Sequence, residues 1–361
     1  MGERSYVPFD VFAMRVEVPV STAVRDGDLG WTCGQCPLTG KGDVYAPGDL
    51  LEQTGFVCDM IEKVMARAGF TLSSIGKLHV YLTAKSEHEA RDAQQLIAAR
   101  FDHGPLIVLI PVPHFYYDGM LVEVDVFAAT EVMVSTPYEA DGIRLSLVEA
   151  GDQVWAHASV SLAGNTLPSN PVKLIADALT RHGLDQDHLL SDLWMISGDD
   201  REMRQIADNA QNHQLLTNPD ALMRLADPAL PAVAAVLAFG KQPVFTLTDI
   251  VSQDGLRLTL KKSGPMVWAR GTGADRRLNL VGQTSAIMEG IDGSLKAAGM
   301  SFTDVVKLTA HYTGGASESE LHDNMKVRHG FYASPGPAST GLPVAALGTD
   351  ACRIAIEVVA I

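Results

Sequence analysis

Asp141-Gly-Ile-Arg-Leu-Ser-Leu147 and Asp254-Gly-Leu-Arg-Leu-Thr-Leu260 are two copies of one segment, 113 residues apart. The same spacing carries Val154-Trp155-Ala156 onto Val267-Trp268-Ala269. Alternating segments that recur in step read as two copies of one β-hairpin. A second period, of 230 residues, joins the two ends of the chain: Gln53-Thr54, Ala68-Gly69, Lys77-Leu78 and Thr83 return as Gln283-Thr284, Ala298-Gly299, Lys307-Leu308 and Thr313. The middle supplies a third helix-to-strand copy in Ala178–Leu184 followed by Leu189–Ser197. The 361 residues therefore divide into three units of about 120 residues each.

Within a unit the periodicities agree on an order. In the first, a hairpin over 12–20 and 29–36 precedes an amphipathic helix, Leu50–Ala68, which Gly69 ends as its C′ residue. A strand at Lys77–Thr83, a helix at Glu87–Arg100 and apolar strands at Leu106–Val112 and Leu121–Ala128 complete a ββαβαββ pattern, an α+β layer of helices over one sheet. The second unit lengthens a polar loop at Asn209–Pro219 and is expected to end in the strand pair Pro231–Phe239 and Val244–Val251. The third places its second helix at Ser317–Gly330 and its last strands at Thr340–Ala346 and Arg353–Ala360. Short polar joints near Ser135–Asp141 and Ser252–Gly255 put the domains at 1–134, 135–251 and 252–361. A sheet covered by helices on one side needs a partner for its other face. Three such sheets can bury those faces about a pseudo-threefold axis, so the expected molecule is an intramolecular pseudo-trimer, running as a monomer or a homodimer.

Composition narrows the function classes. With 28 basic against 43 acidic side chains, the formal net charge is −15, and no basic stripe offsets it, which opposes nucleic-acid binding. No run approaches the roughly 18 apolar residues of a membrane span. Met1-Gly2-Glu3-Arg4-Ser5-Tyr6 has neither an apolar signal core nor a myristoylation Ser or Thr, so the expected location is cytoplasmic. Cys33, Cys36, Cys58 and Cys352 do not make a disulfide framework.

Leu51–Thr83 with Lys77-Leu-His-Val-Tyr-Leu82, the strand Leu121-Val-Glu-Val-Asp-Val-Phe-Ala128 and the early turn Trp31-Thr-Cys-Gly-Gln35 together resemble the RidA/YjgF (Rid) family, and the third unit adds Pro337-Ala-Ser-Thr-Gly341 and Ile354–Ala360. The resemblance implies three tandem Rid-like (chorismate-mutase-like) domains in one chain. It also implies small-molecule clefts where units meet, and hydrolysis of imines or enamines to ketones and ammonia with no metal and no organic cofactor. Chorismatases are relatives of this fold, so the fold leaves the reaction open. Residue by residue, the family's carboxylate-holding Arg, two residues past a Pro that starts the penultimate strand, is replaced by Ile107, Val233 and Ser339. Its acidic residue in the last strand is matched by Glu123, with Thr246 and Ala355 in the other units. Its turn amide is matched by Gly34 and Gly271, with Ser159 in the second unit.

The candidate site follows. Glu123, in an apolar strand, is either a solvated strand residue or an acid–base group whose pKa rises on partial burial. Arg270, beside Gly271, is the candidate substitute for the missing Arg. Ser339 and Thr340 fall where that Arg would be, as hydrogen-bond donors, or in the case of Ser339 as a nucleophile if a base is near. In the aromatic stretch Pro113–Tyr117, either His114 and Tyr116 overhang a neighbouring cleft, with His114 a general acid or base near pH 7 and Tyr116 a substrate contact, or the stretch packs an interface. Cys33 lies at the lining position of the early turn; Cys33-Gly-Gln-Cys36 has no second pair at zinc spacing, and His322 with His329 does not define a metal site. Gly271-Thr-Gly-Ala-Asp-Arg276 lacks the Gly-Lys-Ser/Thr ending of a phosphate loop. Three readings result: a cofactor-independent hydrolase or deaminase of an imine, enamine or related carbonyl compound; a non-catalytic small-molecule binder; and a chorismatase-like lyase or hydrolase.

Overall fold

The first unit runs β1 (Arg4–Pro8), β2 (Ser21–Asp26), β3 (Leu29–Thr32), α1 (Leu50–Arg67), β4 (Ile75–Leu82), α2 (Glu87–Arg100), β5 (Leu106–Pro111) and β6 (Val122–Ala129) in a computed structural model of the chain. The second runs β7 (Val132–Val134), β8 (Tyr138–Ala140), β9 (Ile143–Ala150), β10 (Gln153–Val160), α3 (Pro171–Arg181), β11 (Leu189–Ile196), α4 (Asp200–Asn212), β12 (Met223–Arg224) and β13 (Val233–Gly240). The third runs β14 (Phe245–Val251), β15 (Leu256–Ser263), β16 (Met266–Gly273), α5 (Leu280–Ala297), β17 (Val305–Tyr312), α6 (Glu318–His329), β18 (Ala338–Pro343), β19 (Ala346–Leu347) and β20 (Ile354–Ala360). The structure describes residues 3–161, 168–226, 232–273, 275–315 and 317–361. Met1 and Gly2 of the N-terminal stretch, Pro231 of the strand expected to begin there, and Ala274 of the glycine-rich turn lie outside the described residues.

The three sheets share one order. β2-β3-β6-β4-β5 in the first unit is matched by β15-β16-β20-β17-β18 in the third and by β9-β10-β13-β11-β12 in the second, all antiparallel except the last pair of each. The helices cover one face. Asp49 caps α1 by accepting from the Glu52 N–H, and Val57, Ile61 and Val64 bury its apolar stripe. Gly69 follows at φ 77°, the left-handed geometry that ends such a helix. Each sheet–helix layer has its own core. The opposite faces meet one another, with Trp31, Trp155 and Trp268 from the three units in one apolar cluster.

Two segments depart from the sequence expectation. Residues 12–20 are not a strand; Ser21–Asp26 is. Pro19 has no N–H to give a ladder, and Met14, Val16 and Val18 pack instead on the core of the third unit. Val244–Val251 does not pair with the strand before it. It forms a hairpin with β15 in the third sheet, through the turn Ser252–Gly255, where the Ser252 N–H donates to the Leu256 carbonyl at 2.8 Å and Gly255 stands at φ 82°. β13 is consequently the last strand of the second unit, and Val233 starts it rather than a penultimate strand. The sheet register puts Ala234, not Thr246, in the place of Glu123: Tyr81 opposes Glu123, Met195 opposes Ala234 and His311 opposes Ala355. β19, from the third unit, closes the edge of the second sheet by pairing with β12.

Candidate active site

A cavity of about 70 Å³ opens between the first and third units. Cys33, Gly34, Tyr116 and Glu123 reach it from one side, Ser339, Thr340 and Arg328 from the other. Six of the residues singled out in the sequence thus share one wall-to-wall space.

Glu123 sits on β6 with 9% of its surface exposed. Burial, reinforced by the nearby Asp125 carboxylate, pushes its carboxyl up to about 8, so it is mostly protonated at neutral pH. Gly34 makes room for it: a Cβ at position 34 would overlap the Glu123 carboxyl oxygen. The turn is held to β6 by paired bonds, Gln35 N–H to the Val124 carbonyl at 2.9 Å and Val124 N–H to the Gln35 carbonyl at 3.1 Å.

Behind Glu123 lies a buried ion pair across the same interface. Lys307 Nζ stands 2.9 Å from Asp125 Oδ2, and both side chains are almost wholly enclosed. Lys307 also donates to the Thr340 hydroxyl at 2.7 Å and the Thr32 carbonyl at 2.9 Å, while Thr340 donates to Asp125 Oδ1 at 2.5 Å. The Thr340 hydroxyl is therefore committed to this network. Such a pair fixes the geometry of the interface; removing one partner alone leaves a buried charge, at a cost of about 3–5 kcal/mol.

Ser339 Oγ lies 2.9 Å from the Tyr332 hydroxyl, a partner whose pKa burial raises. Ser339 is thus placed to hydrogen-bond, and among the described residues its hydroxyl bonds no carboxylate or imidazole. Burial likewise drives the Cys33 and Cys36 thiols well above their ordinary range, which keeps both neutral. Tyr116 stacks on Tyr312 with centroids 6.2 Å apart, and burial pushes its phenol up to about 12.

Arg328 was not foreseen from the sequence. It is 2% exposed, on the inner stripe of α6 formed with Leu321 and Met325. Its Nε donates to Asn324 Oδ1 at 2.9 Å, and Asn324 in turn donates to the Thr284 hydroxyl at 3.3 Å. Gly341 on β18 clears its path, since a Cβ there would stand 2.6 Å from Arg328 Nη2. Among the described residues Arg328 makes no ion pair. Its charge is close enough to Glu123 to lower that group's pKa against the larger effect of burial. The available signal was an Arg spaced i+7 from Leu321 and i+3 from Met325, the apolar positions of the helix's buried face.

Three other candidates lie elsewhere. Arg270 belongs to the junction of the second and third units, where Nη1 is 3.0 Å from Asp192 Oδ2 and Nη2 is 2.5 Å from Glu357 Oε2. Strand alternation aims it at β11, away from the Glu123 cavity. Gly271, the next residue, faces the helix layer: a Cβ there would meet Ile287 of α5 at 2.5 Å, and its backbone is inside the β15-β16-β20 ladder. His114 is half-buried outside the cavity lining, its Nε2 3.2 Å from the Gly315 carbonyl and its ring edge-on to Tyr116 at 5.4 Å.

A mostly neutral carboxylic acid, phenols held protonated and a guanidinium that makes no ion pair among the described residues thus face a common space. This set can bind a small anion and move a proton on it. Residues 12–130 match the family model described as Endoribonuclease L-PSP. A RutC family protein of Pyrococcus horikoshii is 28% identical over 114 residues, spanning 31% of this chain and 88% of that protein. A RutC family protein of Sulfurisphaera tokodaii is 30% identical over 104 residues, spanning 28% and 82%. A chorismatase crystal structure aligns with a TM-score of 0.50 over 80% of this chain and 93% of its own at 11% identity, a likeness of fold. No helix among the described residues is long and apolar enough to cross a membrane.

Proposed function

Because the chain belongs to the RutC/YjgF (Rid) family, we propose that it is a small-molecule hydrolase working in the cleft between its first and third units, on an imine or enamine that carries one carboxylate. The observation that carries this reading is the meeting of protonated Glu123 and carboxylate-free Arg328 in one enclosed space. Arg328 holds the substrate carboxylate through its planar fork. Glu123 gives its proton to the imine nitrogen, making the carbon electrophilic. The resulting carboxylate accepts a proton from the attacking water, whose oxygen forms the new C–O bond. Glu123 then passes that proton to the amine nitrogen of the carbinolamine, the C–N bond breaks to release ammonia, and the carbinol O–H returns its proton to Glu123 as the C=O forms, so that one imine and one water become one ketone and one ammonia with Glu123 protonated again. Ser339 and the Tyr116 phenol orient the substrate by hydrogen bonds. A chorismatase-like reaction on a dicarboxylate calls for a second cation, and the described cleft lining holds Arg328 alone among Arg and Lys side chains.

The test is release of ammonia and keto acid from imino acids generated in situ, for the wild type and Glu123→Gln. Acceleration by the wild type that the variant loses supports the reading. A wild type that accelerates no imine sinks it in favour of a binding role.

A further inference from the structure

Inside the ring of sheets, on the faces turned from the helices, all three units share a second cavity of about 60 Å³. It has no lining residue in common with the Glu123 cleft. Trp31, Trp155 and Trp268, at equivalent positions of β3, β10 and β16, stand in its wall. Two of its cations are answered: Lys307 by Asp125, and Arg270 by Asp192 and Glu357. At the position equivalent to Lys307, the second unit carries Ser191, which donates to Glu357 at 2.8 Å.

The first unit carries Lys77 there, and Lys77 is different. It is 7% exposed, its ammonium stands 4.0 Å from the ring centroid of Phe127 and 5.3 Å from that of Trp155, and among the described residues it makes no hydrogen bond or ion pair. Two residues on, and therefore on the same face of β4, His79 is buried, and among the described residues neither of its ring nitrogens has a hydrogen-bond partner. Aromatic faces offset only part of the cost of enclosing an ammonium. Glu357 and Asp125 act on the Lys77 charge from a distance, with no direct contact among the described residues; a buried ammonium without a contacting carboxylate and a buried imidazole without partners are both costly, and native structures keep such groups where something else completes them.

We propose that the central cavity is a second binding site, for a small planar monoanion of the carboxylate class, with the Lys77 ammonium as its counterion and a His79 N–H as its donor. Burial and the neighbouring Lys77 charge hold His79 well below its ordinary pKa, so it stays neutral with one N–H to give. Burial lowers Lys77 to about 8 against the opposing pull of the Glu357 and Asp125 carboxylates, which leaves it mostly charged at neutral pH. The volume suits an anion of a few heavy atoms and excludes a nucleotide. A vestibule of about 380 Å³ leads toward it, lined by the corresponding hairpin turns of the three units at Asp26–Leu29, Gly151–Gln153 and Ser263–Met266, and sharing Gln153 and Trp268 with the cavity. The path thus follows the pseudo-threefold axis rather than the inter-unit cleft.

Three of the four tryptophans line this cavity, so their fluorescence reports on it directly. Acetate and pyruvate would be titrated at constant ionic strength against chloride. The expected result is a saturable change in the wild type and in Glu123→Gln, with affinity at least tenfold weaker in Lys77→Met. A linear, chloride-like response, or an unchanged affinity in Lys77→Met, overturns the proposal and leaves Lys77 a structural cation in a water-filled space. Should Lys77→Met fail to fold, a wild-type crystal soaked in pyruvate decides the matter: difference density for a carboxylate beside Lys77 and His79 supports the site, and a cavity without it removes the proposal.

Discussion

The cleft between the first and third units and its pseudo-equivalent between the third and second are built on the same strand order, yet their polar groups end differently. Where the first has Glu123 facing Gly34, the other has Ala355 facing Thr272. Thr272 is engaged, its hydroxyl accepting from Asn218 Nδ2 at 3.0 Å. Asp220, on the approach to β12, is held by Arg257 at 2.8 Å, and Arg270 is held between Asp192 and Glu357. In one cleft a guanidinium and a protonated carboxyl face a cavity; in the other, cations and carboxylates satisfy each other. The comparison teaches that two clefts built on one strand order differ in whether their polar groups find protein partners, and that the unpartnered set faces the cavity between the first and third units.

The largest expected effect separates the two clefts by activity. Glu123→Gln should lower kcat by about 10²–10⁴-fold, the usual contribution of a positioned acid–base group, while Thr272→Val leaves it unchanged. Equal losses from both, in steady-state assays of ammonia release, would break the comparison.

The two arginines should then divide stability from binding. Arg270→Met strands two carboxylates at the junction and should cost about 3–5 kcal/mol in urea unfolding, with kcat of the folded protein retained. Arg328→Met should leave stability nearly intact and raise KM for carboxylate-bearing imines by the ~1.5–3 kcal/mol of a charged hydrogen bond, with no such rise for an uncharged imine. A KM effect from Arg270→Met and none from Arg328→Met would reverse the assignment.

Glu123 also has a pH signature. Its folded pKa of about 8 lies above the ordinary 4.5, so the folded state prefers the protonated form. The wild type is therefore penalised increasingly as pH rises from 4.5 to 8, by up to ~1.4 kcal/mol per pH unit. Glu123→Gln, which cannot ionise, should be more stable than the wild type at pH 7 and show no such loss in unfolding experiments across that range. Activity resting on the protonated acid should fall as pH passes about 8. A wild type and variant with parallel stability profiles would mean Glu123 ionises freely.

Much of the fold was legible because repetition is independent of local propensity: the hairpins 113 residues apart and the helix–strand pairs 230 apart fix three units whatever each strand's own signal. What failed was the assignment of Val244–Val251. β14 is an edge strand exposed along most of its length, so no buried alternation tells which neighbour it joins, and the polar turn after it reads equally as a domain joint or a hairpin tip. In the site, Glu123, Gly34 and Ser339 were legible from strand position. Arg270 and Gly271 were misplaced because adjacent strand residues face opposite sides, and only the register decides which side is the cleft. Arg328 was missed because a charged residue on a helix is ordinarily solvated; its place on the stripe of Leu321 and Met325 overrides that rule.

The smallest effect sharpens the comparison most, because it adds one carbon to each of two glycines and moves different quantities. Gly341→Ala places a Cβ 2.6 Å from Arg328 Nη2, the far end of a side chain that can swing aside. The guanidinium must shift, and KM should rise about threefold, under ~1 kcal/mol, with stability nearly unchanged. Gly271→Ala drives its Cβ into Ile287 in a packed core, where overpacking costs about 1–3 kcal/mol and KM has no reason to change. Substrate binding and unfolding measured on both variants would locate the working cleft without touching an acid or a base. A KM shift from Gly271→Ala alone would place the substrate in the third unit's own layer and not between the third and the first.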